Sequence, residues 1–167
     1  MKSHIFIIGM MGSGKSTLAP LLSQKLKIPF TDTDKDLENI FNLDIKKIFD
    51  QFSEKKFREL ESTYFLEHIK KSRMIYATGG GIVMIKKNRR ILRSKGNTIY
   101  LNASIETLNN RLVNDQKKRP LFTNKNSLKT ILNERKQYYK DCADIIINIG
   151  EKSSKNILNE IIEKLNK

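Results

Sequence analysis

The sequence predicts an α/β fold: a three-layer, doubly wound parallel sheet with helices on both faces. Three observations predict it. Short β-rich apolar runs alternate with helical patterns along the whole chain. The first run, residues 4–8 (HIFII), leads straight into a glycine-rich loop at residues 9–17 (GMMGSGKST), with a helical pattern behind it. No internal repeat or low-complexity linker divides the 167 residues, so residues 1–167 read as one domain, large enough for a real core.

Taken in order, strands are expected at residues 4–8, around 30–31, at 74–77, 98–101 and 145–149. Helices are expected at residues 15–26, 34–41, 45–52, 54–71, 86–93, 105–113, 128–139 and 155–165. Ser104, Ser127 and Ser154 stand where N-caps belong, because a serine hydroxyl accepts a bond from the open amides of a first turn. Pro20 lies beyond the first turn of its helix, where its missing N–H predicts a tolerated kink. Residues 114–127 (NDQKKRPLFTNKNS) are polar, basic and interrupted by Pro120, which suits a lid over residues 114–126. A loop without a role is the plain alternative.

Composition excludes several classes. The formal charge of +14 invites a nucleic-acid reading. Most of the 32 basic residues, however, are lysines scattered in pairs on what read as solvated helix faces. No basic stretch interleaved with aromatics could stack bases, so no specific nucleic-acid partner is expected. The positive field still favours anionic ligands. No run approaches the ~18 apolar residues that span a bilayer, and the N-terminal apolar run reads as a core strand rather than a signal peptide. The single Cys142 excludes an internal disulfide and suits a reducing cytosol. Beside Asp141 and Asp144 it reads as a buried, inert thiol.

The loop at residues 9–17 carries the chemistry. Gly9, Gly14, Lys15 and Ser16 occupy the fixed positions of G-x-x-x-x-G-K-[ST], between a strand and a helix. Gly12, Ser13, Gly14, Lys15, Ser16 and Thr17 then form a nucleoside-triphosphate cradle of inward-pointing amides at a helix N-terminus. Lys15 can reach the β- and γ-phosphates, and the Ser16 hydroxyl can ligand Mg²⁺.

Other constellations each leave two readings open. Asp32 and Asp34 at a strand end can both face the crevice at the sheet's carboxyl edge, or they can be an N-cap cluster with Asp34 as the cap. Arg58 lies four residues after Glu54, so a surface ion pair is its bland reading. Gly79, Gly80 and Gly81 after the strand at residues 74–77 allow close approach to a ligand, or make a flexible turn. Arg119 in the lid segment and Arg135 in the helix after it are, alone, ordinary arginines. His4 and His68 show no metal-ligand spacing and receive no role.

Together these pieces resemble the shikimate kinases, P-loop small-molecule kinases with a nucleoside monophosphate kinase-like fold. The resemblance runs nearly the whole chain: GMMGSGKST, the D-x-D of FTDTD, Phe57-Arg58 with Glu61, ATGGG at residues 77–81, R-P-L at residues 119–121, and R-x-x-x-Y-x-x-x-A-D from Arg135 to Asp144. It implies a five-stranded sheet in the order 2-3-1-4-5, a small substrate-binding helical segment at residues 33–61, and a lid. It implies transfer of the ATP γ-phosphate to the 3-hydroxyl of shikimate, a step toward chorismate and the aromatic amino acids, in a cytoplasmic monomer that needs Mg²⁺ and no membrane.

Residue by residue, the resemblance puts Lys15 on the transferred phosphate, Ser16 on Mg²⁺, and Asp32 on the metal through water. Asp34 would grip the shikimate hydroxyls and accept the reacting proton. Arg58 and Arg135 would clamp the carboxylate, and Gly79, Gly80 and Gly81 would meet the ring. Arg119 would swing over the phosphates, and Arg111 would stack on adenine. The physics agrees, since a planar guanidinium fork suits a carboxylate. The chain departs from the family at Ala19 and Ser53, where glycine is common, and residues 150–154 match weakly, leaving Lys152 open as a nucleotide contact. Rival readings are a gluconate or nucleoside monophosphate kinase, and a non-catalytic nucleotide- or nucleic-acid-binding protein.

Overall fold

In the computed structural model, residues 4–69, 72–113 and 125–166 are described. The apolar run at the start forms strand β1 (His4–Ile8), buried at every position, as a strand covered on both faces must be. It pairs in parallel with β3 (Ile75–Ala77) on one side and β4 (Gly96–Asn102) on the other. Strand β2 (Phe30–Asp32) extends the sheet beyond β3, and β5 (Ile145–Asn148) extends it beyond β4, both in parallel. The order is therefore β2-β3-β1-β4-β5, as the resemblance implied. The outer strands show their edge position in Phe30 and Ile146, which are among the exposed large apolar residues.

Helix α1 (Lys15–Leu26) leaves the glycine loop and runs through Pro20 to a left-handed C-cap at Lys27. Three helices separate β2 from β3: α2 (Thr33–Phe41), α3 (Ile45–Gln51) and α4 (Glu54–His68). They enclose a second apolar cluster of Leu37, Ile48 and Phe57, apart from the main core around the sheet. A helical segment with its own packing stands where one was expected at residues 33–61. Helix α4 ends at His68 rather than at residue 71, because Ile69 takes up an extended conformation.

Beyond β3 come a 3₁₀ turn (Ile82–Met84), α5 (Lys86–Lys95), α6 (Ile105–Val113), α7 (Lys125–Cys142) and α8 (Ser154–Leu165). Ser104 caps α6 as expected, its hydroxyl accepting the Thr107 amide at 3.1 Å. Two expected caps are corrected. Ser153, not Ser154, caps α8, because Ser153 is the residue in extended conformation and accepts the Asn156 amide. Helix α7 already begins at Lys125, so Ser127 sits inside its first turn; the polar start of the helix hides this boundary from an apolar pattern. Cys142 is buried, and burial pushes its thiol up to about 11, with Asp141 adding to the effect against Arg89 and Arg93. Burial, more than acidic neighbours, keeps it inert.

Candidate active site

The glycine loop joins β1 to α1 with left-handed backbone at Gly12 and Gly14, where φ is 78° and 95°. A side chain there would be strained, so the turn needs glycine. Helix α1 has no acidic residue in its first turn, so the turn itself does not offset the positive end of its dipole. A cleft of about 260 Å³ opens here, lined by residues 12–17 together with Asp34, Arg111 and Ser154. Lys15 is buried, and its Nζ donates to the carbonyls of Gly9 and Met10 at 3.0 and 2.9 Å. A cation is thus held against the phosphate-facing turn. The side chains of Ser16 and Thr17 are exposed at the helix start.

Arg111 stands on the same cleft. Its Nη1 lies 3.6 Å from the point a Cβ on Gly14 would take, and its Nη2 donates to the Gly150 carbonyl at 3.4 Å. It therefore links α6 to the turn before α8. Lys152 on that turn is already paired with Glu160 at 2.7 Å.

The two aspartates divide their work. Asp32 is the N-cap of α2, its Oδ1 accepting the amides of Asp34 and Lys35 at 3.1 and 3.3 Å. The capping reading therefore applies to Asp32 and not to Asp34. Asp34 lies in the first turn, half-buried, with its side chain on the cleft.

Glycines after β3 tie this aspartate to the two distant arginines. A Cβ on Gly79 would lie 2.6 Å from Asp34 Oδ1 and would collide with Glu61. A Cβ on Gly81 would fall inside the Arg58 guanidinium. A Cβ on Gly80 would lie 3.7 Å from Arg135 Nη1 and 3.5 Å from Gly9 O and Met11 N of the phosphate loop. Gly79 and Gly81 are required for space, since their φ angles are not left-handed, whereas a Cβ on Gly80 would make only ordinary contacts. One short stretch of backbone thus touches Asp34, Arg58, Arg135 and the phosphate loop. The flexible-turn reading fails here, because the stretch is pinned. Gly79 N–H donates to Thr33 Oγ1 at 3.0 Å, and the Tyr139 hydroxyl donates to the Gly80 carbonyl. Asn88 holds the Ile82 carbonyl and accepts from Ser62 of α4.

Arg58 is far from a surface residue. It is 8% exposed, bonded by Nη1 to Glu61 Oε2 at 2.9 Å, and lies over the rings of Phe57 and Phe49. Burial pulls its pKa down, but Glu61, Glu54 and Asp34 together outweigh this and hold it above the usual value. Arg135 is 3% exposed, with its Nη2 3.8 Å from Glu54 Oε1. The expected Glu54–Arg58 pair is present at 3.6 Å, so this single carboxylate oxygen faces both guanidiniums. Burial also raises the Tyr139 hydroxyl pKa well above its ordinary value, Arg135 only partly opposing, so it stays a donor.

Sequence reasoning missed three contributors. Thr33 is the middle residue of D-T-D, where the carboxylates on either side carry the sequence signal and a hydroxyl between them carries none. Tyr139 was legible only as a fixed position after Arg135. The contact of Glu54 with Arg135 crosses from α4 to α7, which no local spacing reveals. Arg119 and residues 114–124 of the expected lid lie outside the described residues.

Such an arrangement can hold a triphosphate on one side and a carboxylate-bearing acceptor on the other, with Asp34 between them. That is the layout for phosphoryl transfer to a hydroxyl. The comparisons agree with this chemistry. A family model described as shikimate kinase matches residues 11–166. Shikimate kinase from Wigglesworthia glossinidia brevipalpis is 39% identical over 168 residues, covering 98% of this chain and 96% of that one. Shikimate kinase from Buchnera aphidicola subsp. Schizaphis graminum is 40% identical, covering 99% and 98%. The solved structure of shikimate kinase from Acinetobacter baumannii in complex with shikimate superposes with a TM-score of 0.91 at 28% identity, covering 98% of this chain and 92% of that one.

Proposed function

The chain belongs to the shikimate kinase family, and from that premise we propose how its own residues carry the reaction of ATP with shikimate to give ADP and shikimate 3-phosphate. One observation supports the assignment above the rest: residues 79–81 run against Asp34, Arg58 and Arg135 and against the phosphate loop at once.

The triphosphate lies along residues 12–17, its charge met by loop amides and by the N-terminus of α1. The fit is good, because the left-handed glycines open the loop and the first turn of α1 carries no acidic residue. Lys15 moves from the Gly9 and Met10 carbonyls onto the transferred phosphate. Arg111, already on this cleft, covers the adenine side. The shikimate carboxylate sits between Arg58 and Arg135, and the backbone of Gly79, Gly80 and Gly81 meets the ring. Asp34 orients the 3-hydroxyl and takes its proton as the new O–P bond forms and the bond from the γ-phosphorus to the ADP oxygen breaks. A Mg²⁺ ion would be held by the exposed Ser16 hydroxyl and, through water, by Asp32, and would neutralise charge on the phosphates. Asp32 Oδ1 is engaged as the cap, so Oδ2 is the oxygen that would take that task.

The same proposal makes residues 1–167 one kinase domain, monomeric and cytoplasmic, with residues 33–61 as acceptor-binding segment and 114–126 as lid. A buried thiol at Cys142 suits a reducing compartment. Among the described residues no helix is long and apolar enough to cross a membrane.

A coupled ADP-release assay comparing shikimate, gluconate and nucleoside monophosphates tests the reading. Turnover with shikimate alone is expected, and faster turnover with either rival class would overturn it. Two variants refine it. Gly81→Ala forces a methyl into the Arg58 guanidinium and displaces it; stability is expected to fall by about 1–3 kcal/mol and the shikimate KM to rise, with the KM for ATP unmoved. An unchanged shikimate KM would detach Arg58 from the acceptor. Arg119→Ala is expected to slow transfer with melting temperature unchanged, and a normal kcat would mean that the lid needs no cation there.

A further inference from the structure

We infer that Glu54 is a built-in competitor for the acceptor's carboxylate: a movable counter-charge that covers the two clamp arginines until substrate displaces it. The inference rests on the clamp reading of Arg58 and Arg135 above.

Glu54 Oε1 lies 3.6 Å from Arg58 Nη2 and 3.8 Å from Arg135 Nη2. One oxygen therefore faces two guanidiniums that come from different helices, α4 and α7. Both arginines are buried, and two like charges held together away from water need a counter-ion. Arg58 has a permanent one in Glu61, fully buried at 2.9 Å. Among the described residues, the carboxylate that Arg135 meets is Glu54. Among the described residues, the Nε atoms of both arginines are buried without a hydrogen-bond partner, so the clamp has donor capacity left over.

Glu54 has the opposite character to Glu61. Its side chain is 54% exposed, and both of its contacts are longer than hydrogen bonds. Exposed ion pairs of that kind are weak and easily exchanged. Glu54 also sits in the first turn of α4, just after the Ser53 cap, where its side chain can swing into water without disturbing the helix. A substrate carboxylate is the same chemical group and competes for the same two guanidiniums. The two cannot share the clamp without repulsion, so binding of one expels the other. Competition by an internal carboxylate lowers affinity for every anion entering the clamp, and only a ligand that also engages Asp34 and the glycine backbone recovers the loss.

The test is calorimetric titration of shikimate into the wild-type protein, Glu54→Gln and Glu59→Gln, with melting curves of each with and without shikimate. Glu59 is on the same helix, exposed and paired with Lys56 at 3.8 Å, and controls for loss of one negative charge. Glu54→Gln is expected to bind shikimate about two- to tenfold tighter, with a larger shikimate-induced rise in melting temperature, a lower KM and an unchanged kcat. Glu59→Gln is expected to match the wild type. Weaker or equal binding by Glu54→Gln would overturn the inference, making Glu54 an orienting partner or a bystander. Equal tightening in both variants would overturn it too, as an effect of overall charge. A wild-type protein that ignores shikimate would bring down the clamp itself, a different failure that the same titration reveals.

Discussion

Asparagine at position 34 leaves a folded protein that binds ATP and scarcely transfers its phosphate, with kcat lowered about 10²- to 10⁴-fold. The substitution keeps the size of the side chain and removes only its capacity to take a proton and carry charge. Stability is expected to hold within about 0.5 kcal/mol, because the cap of α2 is Asp32 and not Asp34. The KM for ATP is expected to stay near the wild-type value, because the phosphate loop is built from backbone amides and Lys15. Steady-state ADP release beside a melting curve checks both halves. Unchanged turnover in Asp34→Asn would remove this residue from the mechanism.

Arg135→Ala and Arg58→Ala separate binding from stability. Each removes half of the carboxylate clamp, and truncating one partner of a buried hydrogen-bonded charge pair costs about 2–5 kcal/mol of binding, roughly 30-fold or more in the shikimate KM. Their folding costs differ. Arg135→Ala leaves behind Glu54, which is half in water and needs no partner. Its melting temperature is expected to drop little. Arg58→Ala leaves Glu61 fully buried without its cation, which costs about 3–5 kcal/mol. At about 2–4 °C per kcal/mol for a chain of this size, melting falls by roughly 10 °C. Arg58→Ala combined with Glu61→Ala should regain most of that loss and none of the affinity. Equal melting temperatures for the two single variants would contradict the assigned division between Glu61 and Glu54.

Much of this was legible in the sequence, for physical reasons that differ by element. The run His4–Ile8 is buried on both faces, so its unbroken apolar character announces a central strand. The phosphate loop is a local motif whose glycines must be glycines, and it can be read without knowing any partner. The strand order could not be deduced from periodicity, because pairing of β1 with both β3 and β4 is a long-range fact; it came from resemblance to a family. The cap of α8 was missed by one residue, where serines stand side by side, and the start of α7 by three, where a polar stretch hides it.

The site followed the same division. Arg58 at an i,i+4 distance from Glu54 looked like a surface pair by spacing, and the pair exists. What spacing could not convey is that Glu61 and the rings of Phe49 and Phe57 bury the guanidinium, and that α7 brings Arg135 to the same carboxylate. The three glycines carried no sign of their neighbours either. For Gly79 and Gly81 the meaning lies in the side chains that a Cβ would strike.

A crystal structure with shikimate bound addresses the central claim most directly, that residues 79–81 gather Asp34, Arg58 and Arg135 around a single acceptor site. The expected density has the carboxylate between the two guanidiniums, a ring hydroxyl within hydrogen-bond distance of Asp34, and the Glu54 side chain turned away. Shikimate bound in the reverse sense, or elsewhere with both arginines still facing Glu54, would contradict it.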